Sequence, residues 1–472
     1  MRPWGAPMTE PLWTSEAIAA ATGGRAAGAA FAATGVSIDT RTLEPGDLFV
    51  ALAGVRDGHE FVGQAFAKGA AGVLASRPVD GPAILADDVL AALERLGGAA
   101  RDRAPQARRG AVTGSVGKTS VTQAIRAGLI RAGRTHSSVK SYNNHIGVPL
   151  TLARMPRDTE RAVFEIGMNH EGEIAPLTRM VRPHAVAITT VGPVHVENFP
   201  DGEAGVARAK AEIFAGLQPG GIAVLNADNR WYGLLKAAAE AAGGQVRAFG
   251  AAAEADAQLT GFTVDGARAI VGARLDGRAI RFPILQTGVH WGPNSLAVIL
   301  MLLALGVSLD DSLAALGDFE PLEGRGAEKA IRLPAGAFTL IDESYNANPI
   351  SMAAAIASLG ARQVVGRRIV ALTDMLELGD EAPQFHAALA APLESARVDQ
   401  VFCAGPLMKS LWDALPSTRR GGYAESAAEL APHVVRAAEP GDVVMVKGSN
   451  GSKAGAIAAA LAALDAASKG AL

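Results

Sequence analysis

The chain has 472 residues, room for about three domains at roughly 150 residues each. Lys+Arg of 44 against Asp+Glu of 47 leaves a net charge of −3, so no basic field exists to hold nucleic acid or an anionic membrane. A hydrophobic content of 49% excludes wholesale disorder, and one cysteine, Cys403, excludes an intramolecular disulfide or a Cys-rich metal centre and suits a reducing cytosol.

The first block, to residue 107, opens with Pro3, Pro7, Glu10, Pro11 and Glu16, which break up any signal-peptide core. Short strand runs follow at Asp47–Leu52 and Gly72–Ala75. The charged stretch Arg101-Asp-Arg-Ala-Pro-Gln-Ala-Arg-Arg109 reads as a linker. In the second block, 108–320, Ala162–Ile166, Ala185–Thr189 and Ile222–Leu225 read as buried parallel strands. Ser120–Ile130 and Leu296–Leu303 read as helices. The longest apolar run, Leu296 to Val307, falls short of the roughly 20 residues of a membrane span. Glu320-Pro-Leu-Glu-Gly-Arg-Gly326 marks the next boundary. The third block, 321–472, repeats the alternation with runs at Phe338–Ile341, Ile369–Leu372, Gln400–Cys403 and Val443–Val446, each followed by polar or glycine-rich residues. The fold class expected is α/β, and no G-x-G-x-x-G follows a strand, which disfavours a nicotinamide dehydrogenase.

Between a strand run and a helix lies Ala111-Val-Thr-Gly-Ser-Val-Gly-Lys-Thr-Ser120. Thr113, Gly114, Ser115, Val116, Gly117, Lys118, Thr119 and Ser120 form a candidate phosphate loop. The glycines let backbone N–H groups close on phosphate oxygens, Lys118 reaches the β and γ phosphates, and the Thr119 hydroxyl can ligate Mg²⁺. Val112 stands where the strict pattern has glycine, so this is a variant loop. The loop alone leaves a GTPase switch, a transport ATPase, a kinase and an ATP-driven ligase open; the absence of Asn-Lys-x-Asp weakens the switch.

Further motifs follow in order: Asn143-Asn-His-Ile-Gly-Val-Pro149, Glu165-Ile-Gly-Met-Asn169, Thr189-Thr-Val-Gly-Pro-Val-His195 and Ala209-Lys-Ala-Glu-Ile-Phe214. After them come Gly288-Val-His-Trp-Gly-Pro-Asn294, Glu323-Gly-Arg-Gly326, Asp342-Glu-Ser-Tyr-Asn-Ala-Asn-Pro349 and Asp374-Met-Leu-Glu-Leu-Gly379. The set resembles the Mur ligase family, ATP-dependent ligases of peptidoglycan precursor synthesis, and within it the branch that adds a D-alanyl-D-alanine dipeptide. Ser37-Ile-Asp-Thr-Arg41, Pro45–Leu52 and Asp57–Phe61 resemble that family's first domain.

The resemblance implies three domains: a UDP-sugar-binding α/β domain (1–107), a central P-loop ATPase domain with a mostly parallel sheet (108–320) and a C-terminal Rossmann-like domain (321–472). It implies a ligation of D-alanyl-D-alanine to UDP-N-acetylmuramoyl-tripeptide through an acyl phosphate, using ATP and two Mg²⁺ ions, in a cytoplasmic monomer. Alternatives are a sibling ligase adding a single amino acid, a folylpolyglutamate synthetase or, outside enzymes, a P-loop switch. By resemblance, Thr119, Glu165, His195 and Lys210, the last carrying a CO₂-derived carbamate, ligate the metal. Together with Lys118, the last three make the catalytic set. His290 and Asn294 serve the nucleotide, with Arg325 and Asp342 reaching ATP from the third block. Ser37, Asp39, Thr40, Arg41, Asn143 and Asn144 serve the UDP-substrate. Tyr345, Asn346, Asn348 and Pro349 align the peptide or the amine, although an Asx-rich turn explains the same string. Lys447-Gly-Ser449 resembles the acceptor loop, with Asn450 where a basic residue is expected, and Met375 and Leu376 read as core.

Overall fold

The computed structural model describes residues 11–54, 56–138, 141–194, 196–266 and 268–469. His195 lies outside the described residues. With aromatics at only 5% of the chain, its cores are built from small aliphatic side chains. Alternate residues of each central strand enter two different cores. Val112, Val163, Ala187 and Val224 face the helix Trp291–Ala304. Ala111, Phe164, Val186, Ile188 and Leu225 face the opposite cluster with Val206, Ala209 and Phe214. A sheet buried on both faces is why these strands read as continuous apolar runs.

Among the described residues the central sheet has nine strands. From one edge they are Arg278–Ile284, Arg268–Leu275, Ala257–Asp265, Gln245–Gly250, Ile222–Asn226, Ala185–Ile188, Arg108–Thr113, Arg161–Glu165 and Thr135–Ser137. From Ala257–Asp265 onward in this order they pair in parallel. The first three form antiparallel hairpins, which strand–helix alternation did not anticipate. The third domain's sheet runs Ala327–Leu333, Gly336–Glu343, Val443–Lys447, Arg368–Thr373, Gln400–Ala404 and Arg420–Ala424, parallel after its first, antiparallel pair. The N-terminal sheet runs Arg25–Ala27, Ala83–Leu85, Gly72–Ala75, Asp47–Val50 and Gly35–Ser37, antiparallel only at its first pair.

The stretch 101–109 is not a free linker. Asp102 ends the helix Val89–Asp102 and Arg108 starts a strand. Arg101 and Arg109 are buried and donate to Met180 O (2.6 Å) and Val181 O (2.9 Å), capping carbonyls at the end of the helix Ile174–Val181. The two domains share a core. Leu150 and Ala153 of the central helix Gly147–Ala153 pack with Trp13, Leu93 and Leu96, and Trp13 Nε1 donates to Ala153 O at 2.8 Å. A Cβ on Gly97 would stand 2.9 Å from Pro149 O, so only glycine permits this helix approach. Met375 is core as expected, whereas Leu376 is 40% exposed: three residues past the strand's end, the chain turns it outward. Cys403 is buried in the third domain, and burial pushes its thiol up to about 12.

Candidate nucleotide and ligation site

Parallel pairing sets the ends of three central strands side by side. Glu165 is in register with Val112, and Ile188 with Thr113. The loop leaving Arg108–Thr113 therefore starts beside Glu165 and Thr189. Gly114 has φ 147°, and a Cβ there would lie 1.9 Å from Thr189 Oγ1; any other residue would push the loop off the strand. Thr189 Oγ1 donates to Val116 O, Ser115 N to Thr190 O and Ser115 Oγ to Gly192 O. These contacts hold the loop from its outer side and keep its inner side open. Gly117 turns with φ 86° into the helix Lys118–Ala132, whose first turn carries Lys118, Thr119 and Ser120. That arrangement is an anion cradle at a helix N-terminus, a phosphate-binding geometry.

Lys118 Nζ donates to Gly114 O at 2.7 Å. Burial lowers its pKa, the Glu165 carboxylate opposes that shift and the Arg325 guanidinium adds to it. Thr113 Oγ1 is buried without a partner among the described residues, and Thr119 Oγ1 lies 3.1 Å from Ser141 Oγ. Glu165 is 1% exposed. Its Oε1 accepts from Asn143 Nδ2 at 2.7 Å, and its Oε2 is buried with no hydrogen-bond partner among the described residues. A carboxylate oxygen left so is costly unless a cation meets it. With the Thr119 hydroxyl nearby, the donors are the oxygens a hard divalent cation takes. The described residues hold no group of three His, Cys, Asp or Glu that could bind a metal, so the fit rests on that oxygen.

Lys210 is the penultimate residue of the helix Glu203–Ala211 and is 3% exposed. Burial first, and then the Lys118 charge, drive its pKa well below the ordinary lysine value. Asn294, in the first turn of Trp291–Ala304, approaches the loop: a Cβ on Gly117 would be 3.4 Å from its Nδ2. His290, the residue preceding that helix, faces the third domain instead. It lines a second cavity with Arg325, Glu343 and Arg362, and its Nδ1 is buried without a partner among the described residues. The histidine–asparagine pair thus points two ways.

A cleft of about 710 Å³ joins Thr119, Gln123 and Ser141 of the central domain to Arg325, Asp342, Tyr345 and Lys453 of the third. Asp342 accepts from Gly324 N and Ser344 N, pinning two loops of the cleft wall together. Arg325 lies 4.2 Å over the Tyr345 ring, and the Tyr345 hydroxyl reaches Ser141 Oγ at 3.4 Å.

The other expected residues spread out. Asn348 caps the helix Pro349–Gly360 with Pro349 in its first turn, the Asx-turn alternative made concrete. Asn346 Oδ1 accepts from Ala347 N, while its carbonyl and Glu343 are held by the buried Lys447 ammonium. Asn144 Oδ1 accepts from Ile146 N and Gly147 N, starting the helix Gly147–Ala153, while Asn143 serves Glu165. In the first domain, Ser37 Oγ donates to Asp39 O, Asp39 forks onto Arg41, and Thr40 Oγ1 donates to Gln64. The Arg41 side chain is 87% exposed.

Sequence reasoning missed Ser141. It also missed a contact between the central and third domains, where Thr287 Oγ1 donates to Glu328 and Arg362 forks onto the same carboxylate at 2.6 Å. Neither carries a motif signal, because partners far apart in sequence make them.

Three family models match the chain: the Mur ligase family, catalytic domain, over 32–102; the Mur ligase middle domain over 112–302; and the Mur ligase, glutamate ligase domain over 331–450. A Bacillus subtilis UDP-N-acetylmuramoyl-tripeptide--D-alanyl-D-alanine ligase is 35% identical, covering 89% of this chain and 91% of its own. The Escherichia coli protein of that name is 36% identical, covering 81% and 83%. The crystal structure of MurF from Acinetobacter baumannii superposes with a TM-score of 0.83 at 28% identity, over 95% of this chain and 98% of that one. A Thermotoga maritima MurF ligase in complex with ADP has the same fold, with a TM-score of 0.77 at 20% identity over 92% and 98%.

Proposed function

The chain belongs to the Mur ligase family, and we propose that it is the member that joins D-alanyl-D-alanine to UDP-N-acetylmuramoyl-tripeptide at the expense of ATP. The observation that carries this reading is one cleft whose central wall offers Thr119, in the helix turn that closes the phosphate loop, and whose third-domain wall offers Arg325, Asp342 and Tyr345.

A carboxylate does not condense with an amine in water without activation. The terminal carboxylate of the tripeptide takes the γ-phosphoryl group of ATP, giving an acyl phosphate and ADP. The free amine of the dipeptide then attacks the acyl carbon, phosphate leaves with the C–O bond, and the nitrogen loses one proton. Both steps need positioning and charge neutralisation more than a protein nucleophile. The loop N–H groups and Lys118 hold the transferring phosphate. Arg325 brings a second cation from across the cleft, near enough for Lys118 to feel its charge. Asn143 holds the Glu165 carboxylate through Oε1, leaving Oε2 as the oxygen that would take a cation.

Thr119, Glu165, His195 and Lys210 are the residues that would hold Mg²⁺, whose charge would offset that of the phosphates. Lys210 enters that set as a carbamate, formed when its neutral amine adds CO₂ and loses a proton. The depressed pKa supports this, since only the neutral amine can add CO₂. Ser37, Asp39, Thr40 and Arg41 take the UDP-sugar end in the first domain. The protein works as a monomer in the cytoplasm; among the described residues no helix is long and apolar enough to cross a membrane.

ADP release with UDP-N-acetylmuramoyl-tripeptide against a panel of amines tests the reading. Turnover should be far faster with D-alanyl-D-alanine than with single amino acids. Preference for free diaminopimelate, lysine or glutamate would move the chain to a sibling activity, and turnover with no amine at all would leave an ATPase.

A further inference from the structure

Ser141 has no part in the chemistry above, yet it stands where the two walls of the cleft touch. Its Oγ is 3.1 Å from Thr119 Oγ1 on the central side. From the third domain the Tyr345 hydroxyl donates to the same oxygen at 3.4 Å. The Tyr345 ring is held independently, under the Arg325 guanidinium.

We propose that Ser141 is a positioning residue that couples docking of the third domain to the cation held by Thr119. The proposal rests on the reading of Thr119 as a metal ligand. A hydroxyl that ligates a cation turns its lone pairs to the metal and its proton away, and that proton needs an acceptor. Ser141 Oγ is the side-chain acceptor the structure sets beside it. A serine oxygen has two lone pairs, so it can accept from Thr119 and Tyr345 together. Ser141 lies in an irregular segment ahead of the helix Gly147–Ala153, and among the described residues the hydrogen-bond partners of its side chain are Thr119 and Tyr345. Docking of Tyr345 fixes that side chain, and with it the direction of the Thr119 hydroxyl. By reciprocity, a bound cation that orders Thr119 and Ser141 favours the docked third domain.

The test is Mn²⁺ binding followed by electron paramagnetic resonance, with a non-hydrolysable ATP analogue, with and without UDP-substrate. Ser141→Ala should weaken Mn²⁺ binding about tenfold, the low end of what a lost outer-shell partner costs. Ser141→Thr, which keeps the hydroxyl, should restore most of it. Tyr345→Phe keeps the ring under Arg325 and loses only the donor. It should weaken Mn²⁺ binding only when nucleotide and UDP-substrate are both present, and add nothing to Ser141→Ala in the double variant. UDP-substrate affinity measured without metal should be unchanged in both Ser141 variants, and the thermal melt of Tyr345→Phe should match wild type, which separates the effect from misfolding. Equal Mn²⁺ binding by wild type and Ser141→Ala, failure of Ser141→Thr to rescue, or additive effects of the two substitutions would overturn the coupling. Absence of Mn²⁺ binding in the wild type would instead overturn the assignment of Thr119.

Discussion

At the residue scale the site is a set of buried groups that are costly unless a ligand completes them. Lys118 faces both Glu165 and Arg325, and removing it deletes the positive charge closest to the loop. Lys118→Ala should abolish ATP-dependent ligation, a loss of at least a hundredfold for a contact of this kind. UDP-substrate binding, measured by calorimetry, should be retained, and near-wild-type turnover would remove the central claim. Lys210 gives a sharper expectation. Its folded pKa is lowered, so the neutral amine predominates above that lowered value and is lost as pH falls through it. Activity should depend on bicarbonate and decline on that acid side, and intact-protein mass should show one added CO₂. Lys210→Arg, which cannot be carbamylated in this way, should be inactive; a working, bicarbonate-indifferent Lys210→Arg enzyme would leave Lys210 a plain cation.

At the element scale, what the sequence displayed depended on whether burial was two-sided. Strands such as Arg161–Glu165 and Ala185–Ile188 are covered on both faces, so their apolar runs were readable as they stood. The hairpins over Ala257–Ile284 are alternately buried and exposed and were folded into a helix-alternating block. Their turns had a signal all the same: Asp265-Gly266 and Asp276-Gly277, with Asp276 and both glycines at positive φ, as tight hairpin turns require. The phosphate loop and Glu165 were legible because each breaks its surroundings, one with glycines and one with a charge in an apolar strand. Ser141 and the Thr287–Glu328–Arg362 contact were not, since only the tertiary fold brings their partners near. The edge strand Thr135–Ser137 carries His136, whose ring nitrogen pairs with Thr151 O at 2.7 Å and whose pKa burial lowers to about 4. Folded His136 stays neutral while the unfolded chain takes up a proton below about pH 6.5, so stability should fall as pH drops from there to about 4. The loss is on the order of 3 kcal/mol, and urea melts of His136→Gln should show a flatter acid limb than wild type.

For the whole molecule, the shared core at Trp13, Leu96, Leu150 and Ala153 makes the first and central domains one body. Leu150→Ala should cost about 2–5 kcal/mol and split a melting transition that those domains otherwise share, as calorimetry would record. The third domain meets that body across the cleft and through Thr287, Glu328 and Arg362. Small-angle scattering should show compaction when nucleotide and UDP-substrate are bound together, whereas an unchanged radius at saturation would leave Arg325 and Asp342 without a closing role.

The lone cysteine has a practical side. Cys403 is enclosed in the third domain's core with its thiol pushed up to about 12, so at neutral pH it offers almost no thiolate to a maleimide. The native chain is therefore already a blank for site-directed labelling. Two cysteines engineered at exposed sites, one on each side of the cleft, would take fluorophores without competition from the parent sequence. The swing of the third domain could then be timed in single molecules during turnover, in a protein otherwise unaltered.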